Sequence, residues 1–458
     1  MGAQAVLAWL DAAVREATLF AAVGFLIGGI DDLLVDLLWI VRRLLGRDAP
    51  RALSDLPAPI AGRLAMFVPA WDESRVIGAM LRHALARIEH DDYRIYVGAY
   101  PNDRATIDAV SDVAARDSRV RLVIGPRPGP TTKADCLNVL WRALQADDAA
   151  RDTPTAAVVL HDAEDVVHPA ELRVHAALIG THPVVQIPVV PLIDHDRRFI
   201  SGHYADEFAE AHGRQLVVRA GLGAAVPLSG VGCAIATDLL RAVAARHGTP
   251  FDPASLTEDY ELGLRAAALG SPAHFARVHD AEGLVSVRAY FPNRFGAAVR
   301  QKARWMTGIA LSGWDRTGWA RPGQIADHWM RMRDRRAPLA LLVLAVGYLA
   351  LCGWLVSVAG HAWLGGQAPA VGPVTRAVLE ATLALLCWRL VWRMAMTAHR
   401  HGWREGLWAL PRVVTANAIA LCAMGRALVP YIRLLRGDPP RWEKTAHDFP
   451  TDPDTALR

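Results

Sequence analysis

The stretch TAAVVLHDAEDVVHP, residues 155–169, opens with six uncharged residues and runs into a group of acids. A short apolar run of this kind, bounded by polar residues, reads as a buried strand over 155–161. Asp162, Glu164 and Asp165 then fall just past its carboxyl end. The pattern repeats on both sides. RLAMFVP (63–69), residues 93–100 and residues 120–124 read as three earlier strands, with helical patterns at 74–89, 105–116 and 134–146. Strands alternating with helices predict an α/β fold on a mostly parallel sheet, spanning 62–324.

Ligands of such sheets bind at the carboxyl ends of the strands. Polar groups collect there: Pro69-Ala70-Trp71-Asp72-Glu73 after the first strand, Tyr100-Pro101-Asn102-Asp103 after the second, and the acids above after the fourth. Any one set reads equally as a helix cap; three at three strand ends point to one site. The Asp162-x-Glu164 pair suits a hard divalent cation, which takes carboxylate oxygens together with substrate phosphates and neutralises a departing diphosphate. Lys133 follows a Pro/Gly loop and opens a helix, a position suited to a phosphate. Thr257-Glu258-Asp259-Tyr260 opens another helix, where the helix dipole alone also favours acids. Gln301-Lys302-Ala303-Arg304-Trp305 stands shortly before the apolar C-terminal region.

That region is read as membrane-bound. Residues 338–360 carry no charge and are long enough to span a bilayer, which takes about 20 residues. A second span is expected at 374–397, which holds Glu380, Arg389 and Arg393, and an N-terminal one at 17–41, which holds Asp31, Asp32 and Asp36. Residues 406–432 contain Pro411, Arg412 and Arg426 and read as an interfacial amphipathic helix, followed by a cytoplasmic tail, 433–458. Arginines at 42, 43, 47 and 51, and again at 331, 333, 335 and 336, place the α/β region on the cytoplasmic side. Asp32 and Asp36 are expected to pair with Arg389 and Arg393 between two parallel helices. A net charge of +4 gives no reason to expect a nucleic-acid partner. Five dispersed cysteines predict no disulfide framework, and seventeen histidines with no recognised ligand spacing predict no histidine-held metal.

Taken in order, these motifs resemble the membrane-embedded family-2 glycosyltransferases of the cellulose and hyaluronan synthase type, and most of all the bacteriophage-adsorption protein B family. The resemblance extends to residues 204–210 and to the tail motif at 442–447. It implies a cytoplasmic GT-A type nucleotide-sugar transferase domain inserted between transmembrane helices, in a multi-pass protein of the bacterial inner membrane. It also implies roles. Asp72, Glu73 and Asp103 would contact the base and ribose of the donor, and Lys133 and Asp162 the diphosphate. Asp162 with Glu164 or Asp165 would hold Mg²⁺ or Mn²⁺. Asp259 would be the general base, with Glu258 its neighbour, and Gln301, Arg304 and Trp305 would meet the acceptor and the leaving diphosphate. The expected reaction is inverting transfer of a hexosyl or hexosaminyl unit from a nucleotide sugar to a growing polysaccharide, exported with the help of an outer-membrane partner. Transfer of one sugar to a lipid carrier, or a degenerate domain serving as a scaffold, are the alternatives. Longer relatives carry a domain that senses a cyclic nucleotide, for which the residues up to Arg458 leave no room.

Overall fold

The structure is a computed structural model and describes residues 2–59, 62–152, 154–438 and 447–456. Most of the expected tail motif, 442–446, lies outside the described residues, as do Arg441 and Lys444. A long helix, α1 (Ala3–Leu44), leads through β1 (Arg51–Ala52) into the α/β region. There follow β2 (Arg63–Pro69), α2 (Ile77–Arg87), β3 (Tyr93–Ala99), α3 (Arg104–Ala114), β4 (Val120–Ile124), α4 (Lys133–Arg151), β5 (Thr155–Leu160) and α5 (Glu171–Leu178). The chain continues through β6 (Val184–Gln186), β7 (Val189–Leu192), α6 (Arg198–Glu210), α7 (Leu216–Gly221), β8 (Cys233–Ala236), α8 (Thr237–His247) and α9 (Glu258–Ala268). Four short strands come next, β9 (His274–Phe275), β10 (Val278–Asp280), β11 (Gly283–Leu284) and β12 (Val287–Tyr290). The helices α10 (Phe295–Trp305), α11 (Ser312–Thr317), α12 (Ile325–Arg335), α13 (Ala337–Trp363), α14 (Pro373–His401), α15 (Trp403–Leu435) and α16 (Pro453–Ala456) complete it.

Seven strands form the main sheet in the order β4-β3-β2-β5-β8-β6-β9, with only β8 antiparallel to its neighbours. The four strands read from the sequence form its parallel half, with Met66 of β2 opposite both Ile95 and Val159. Apolar runs in them are continuous because both faces are covered. Leu64, Met66 and Val68 join one core with Ile77, Met80 and Leu81 of α2. The intervening Ala65 and Phe67 join the other, with Leu137, Leu140 and Leu144 of α4.

Among the described residues, three helices are long and apolar enough to cross a membrane: α1, α13 and α15. α1 and α13 pack antiparallel, with glycines admitting side chains. A Cβ on Gly347 would lie 2.9 Å from the Phe25 ring, and one on Gly353 would lie 2.6 Å from Val14. Polar contacts frame this contact at both ends. His361 Nε2 lies 2.8 Å from Asp11, and Arg336 and Arg333 donate to Asp32 at 2.6 and 2.9 Å. From Asp11 to Asp31 a helix rises about 30 Å, the thickness of a bilayer's hydrocarbon core.

α14, where a span was expected at 374–397, is not among the three; its charges and lower hydropathy distinguish it. It runs parallel to α1 as expected. Thr382 reaches the Ala22 carbonyl at 3.4 Å, and Arg389 Nε lies 3.6 Å from Asp32. The second expected rung does not form. Arg393 donates to Glu210 at 3.0 Å, because α14 has by then reached α6, and Asp36 is taken by Trp388 and Arg214. α15 buries Glu405, Ala409, Arg412, Ala416, Ile419, Ala423 and Ala427, at helical spacing, and packs on α6 and α10. Leu407, Val414, Val429 and Ile432 stay exposed. Arg412 is fully buried between Asp206 and Glu405, each at 2.7 Å.

Candidate active site

The loops after β2, β3 and β5 and the first turns of α4 and α9 converge on one side of the sheet, as the polar strand ends predict. Lys133, the first residue of α4, points its Nζ to Asp162 Oδ1 at 2.5 Å and to the Gly230 carbonyl at 3.3 Å. Burial works against its charge, but Asp162 foremost, then Glu258 and Asp259, hold it well above its ordinary value. Asp162 is correspondingly lowered: Lys133 outweighs the effect of burial. Asp259 and Glu258 open α9. Burial pushes both carboxyls up, Glu258 to about 7, while Lys133 opposes the rise.

Loop 71–73 is fixed by backbone hydrogen bonds. The Asp72 N–H donates to Asp103 Oδ2 at 2.5 Å, and the Glu73 N–H donates to the Thr106 hydroxyl at 2.9 Å. Asp103 also caps α3, accepting from the Thr106 N–H at 3.3 Å. The Asn102 amide clamps Gly129 in both directions, at 2.7 and 2.9 Å. Trp71 packs edge-on to Tyr100, and a Cβ on Gly129 would lie 2.7 Å from the Trp71 ring. Asn102, Trp71 and Tyr100 thus shape the loop ahead of Lys133. The sequence motifs contained them without indicating that job.

The three acids expected at a cation do not gather there. Asp162 is engaged by Lys133. Asp165 turns inward, its Oδ2 accepting from the Asp162 N–H at 2.9 Å and facing His161 Nδ1 at 3.0 Å. Glu164 instead meets Glu73 and His447, the three offering ligand atoms within 4.8 Å of one another. His447 Nδ1 lies 2.9 Å from Glu73 Oε1 and 3.3 Å from Glu164 Oε2. His447 thus joins two carboxylates in a group that could hold a cation, which the histidine spacings did not indicate. Its signal was position in the tail motif, since spacing could not reveal a residue so distant in sequence. Burial raises Glu164 to about 8, and Asp162, Glu73 and Asp165 add to the rise against the pull of His447. Among the described residues its Oε2 is buried without a hydrogen bond. A carboxyl crowded by others in this way fits a divalent cation, which would restore its charge.

Lys133, Asp162, Glu164, Asp165, Glu258, Asp259 and His447 line one cavity with Gln301, Arg304 and Trp305 of α10, while Asp72, Glu73 and Asp103 stand outside its lining. Gln301 Oε1 is buried with no hydrogen-bond partner among the described residues. Arg304 lowers Asp162 and opposes the rise of Asp259. Trp305 packs against Tyr204, Phe208 and Phe291, so one wall is aromatic and the other charged. A second cavity shares Phe208, Ser229, Thr257, Asp259 and Trp305 and extends to Asp32, Arg333, Arg336 and Arg389.

The profile of the family described as "Glycosyltransferase like family 2" matches residues 61–308. Two curated relatives are each 35% identical over 94% of this chain: Bacteriophage adsorption protein B of Escherichia coli (strain K12) and Bacteriophage N4 adsorption protein B of Escherichia coli O157:H7. The match covers 61% of each relative's length. Among solved structures, the fold is similar to mannosyltransferase PcManGT from Pyrobaculum calidifontis, determined in complex with GDP-Man and Mn²⁺. That likeness has a TM-score of 0.53 at 17% identity and covers 92% of this chain and 99% of that one.

Proposed function

The chain belongs to the family-2 glycosyltransferases, and from that premise we propose an inverting transferase that moves a hexosyl or hexosaminyl unit from a nucleotide sugar to a membrane-borne saccharide. Loop 71–73 and Asp103 face the base and ribose, while Lys133 and Arg304 face the diphosphate. Glu73, Glu164 and His447, with Asp162 beside them, are the residues that would hold Mg²⁺ or Mn²⁺. When bound, the ion neutralises charge on the departing nucleoside diphosphate. Asp259 takes the proton of the acceptor hydroxyl as its oxygen bonds to the anomeric carbon. The bond from that carbon to the diphosphate breaks on the opposite face, so the configuration inverts. Gln301 and Trp305 orient the acceptor.

The observation that carries this reading is the second cavity, which leads from Asp259 and Trp305 to the arginines framing the membrane helices. An acceptor held in the membrane can reach the base by that route. A growing polysaccharide, exported from the inner membrane towards an outer-membrane partner, fits it best, and the basic residues flanking α1 and α13 support a cytoplasmic transferase domain. The same arginines suit a lipid carrier's phosphate, which would make the product a single glycolipid. The test is incubation of membranes holding the full chain with radiolabelled UDP- and GDP-sugars and Mg²⁺ or Mn²⁺. Nucleotide release with a high-mass product is expected. A product soluble in organic solvent would favour the lipid carrier, and absence of release with every donor would favour a scaffold.

A further inference from the structure

Below the turn that presents Asp162 and Glu164 lies a row of ionisable side chains that none of the proposed steps uses. His161 is the hinge of this row. Its backbone N–H donates to the Phe67 carbonyl at 3.0 Å, which ties it to the end of the sheet. Its ring Nδ1 faces Asp165 Oδ2 at 3.0 Å, and its Nε2 faces Glu171 Oε1 at 2.9 Å. Asp165 passes the connection on by accepting the Asp162 N–H at 2.9 Å. Glu171 is the first residue of α5, so one imidazole links the strand end, the turn and the next helix. Side-chain exposure is 0% for His161 and Glu171, which stand outside the cavity lining, and 3% for Asp165, which borders the cavity but turns its Oδ2 inward. On its far side the turn is held by Val166, which exchanges backbone hydrogen bonds with Arg288 at 2.7 and 3.2 Å.

We propose that Asp165, His161 and Glu171 form a buried brace that positions the Asp162–Glu164 turn, with Asp165 a positioning residue and not a cation ligand. Burying charged groups is costly unless each is paired. Here the pairings of Asp165 and His161 converge on one turn, the one that presents Asp162 and Glu164, and Glu171, also 3.4 Å from His175, ties them to α5. The proposal rests on the reading of those two carboxylates as donor and cation groups. The geometry of the brace stands apart from that reading.

The experiment uses the full chain in detergent and two readouts. Hydrogen exchange over residues 161–168 reports the turn, and titration with UDP and Mn²⁺ reports the site. His161→Gln and Asp165→Asn are each expected to speed exchange and to weaken Mn²⁺-dependent UDP binding by about tenfold. The double variant should be no worse than the weaker single one, because both break the same brace. Glu164→Gln should weaken binding with exchange unchanged. Asp165→Asn retains side-chain size and an oxygen that accepts from Asp162, so it carries the test should His161→Gln fail to fold. Unchanged exchange in both variants would overturn the brace. So would an Asp165→Asn protein with normal exchange and no cation binding, which would put Asp165 on the ion. Wild-type protein that binds neither UDP nor GDP would instead overturn the functional reading, and the exchange data would still decide the brace.

Discussion

Gly230 lies directly against the Asp259 carboxylate: a Cβ placed on it would fall 2.7 Å from Oδ2, and its φ of +74° is one that side chains rarely adopt. The glycine therefore serves both the turn and the position of the proposed base. Gly230→Ala is expected to cost about 1–2 kcal/mol in backbone strain. It should lower transfer by roughly 10²-fold, the usual price of a misplacement near 1 Å. Steady-state rates beside a melting curve separate the two effects. A folded variant with wild-type turnover would remove Asp259 from the chemistry.

Arg412 joins α15 to the transferase domain through Asp206 of α6 and also pairs with Glu405 of its own helix, with none of its side chain exposed. Arg412→Met leaves the buried Asp206 with the Thr397 hydroxyl but no cation, while Glu405 keeps Arg198 at 3.2 Å, and a loss of about 3 kcal/mol is expected. Thermal unfolding of the detergent-solubilised chain measures it. A change within about 0.5 kcal/mol would mean that the helix is not docked in this way.

Asp32 is shared by Arg333, Arg336 and Arg389, and Arg389 also reaches Glu210 at 3.0 Å. Asp32→Arg should therefore impair folding strongly. Adding Arg389→Asp should restore it only in part, because Arg333 and Arg336 still face the new arginine. Yield of folded protein from membranes reads both. Full rescue would indicate an isolated Asp32–Arg389 pair.

Glu164 is raised to about 8 by burial, so its proton and a cation compete for it below that pH. Mn²⁺-dependent UDP binding should tighten from pH 6 to about pH 8, by up to about tenfold per unit, and then level off. Stability of the cation-free chain should move the other way. A carboxyl whose pKa is raised on folding stabilises the fold below its unfolded value, near 4.5, and that contribution is lost as pH climbs through about 8. Calorimetry and melting at pH 6 and pH 8.5 check both signs. Binding that is flat across this range would take Glu164 off the cation.

The parallel half of the sheet was legible because its strands are short apolar runs ending in polar clusters, and Lys133, Asp162, Glu258 and Asp259 meet where those ends converge. The other half was not. β6 and β9 have only three and two residues, too few for any period to register. At the site, sequence order could not say which way adjacent acids turn. Asp165 looks like Glu164 in the sequence, yet its carboxylate faces inward to His161 while Glu164 faces His447. In the membrane region the sequence reading made 374–397 a span and 406–432 an interfacial helix, whereas of the two it is α15 that is long and apolar enough to cross, and its docking rests on a stripe of small residues around Arg412 that the packing against α6 and α10 reveals.

The most direct test is nucleotide release by the Asp259→Asn chain, measured in membranes with whichever nucleotide sugar the wild type turns over. The account predicts a fall of about 10²–10⁴-fold, with UDP or GDP binding in the presence of Mn²⁺ unchanged. Turnover close to wild type, or loss of nucleotide binding together with activity, would contradict it.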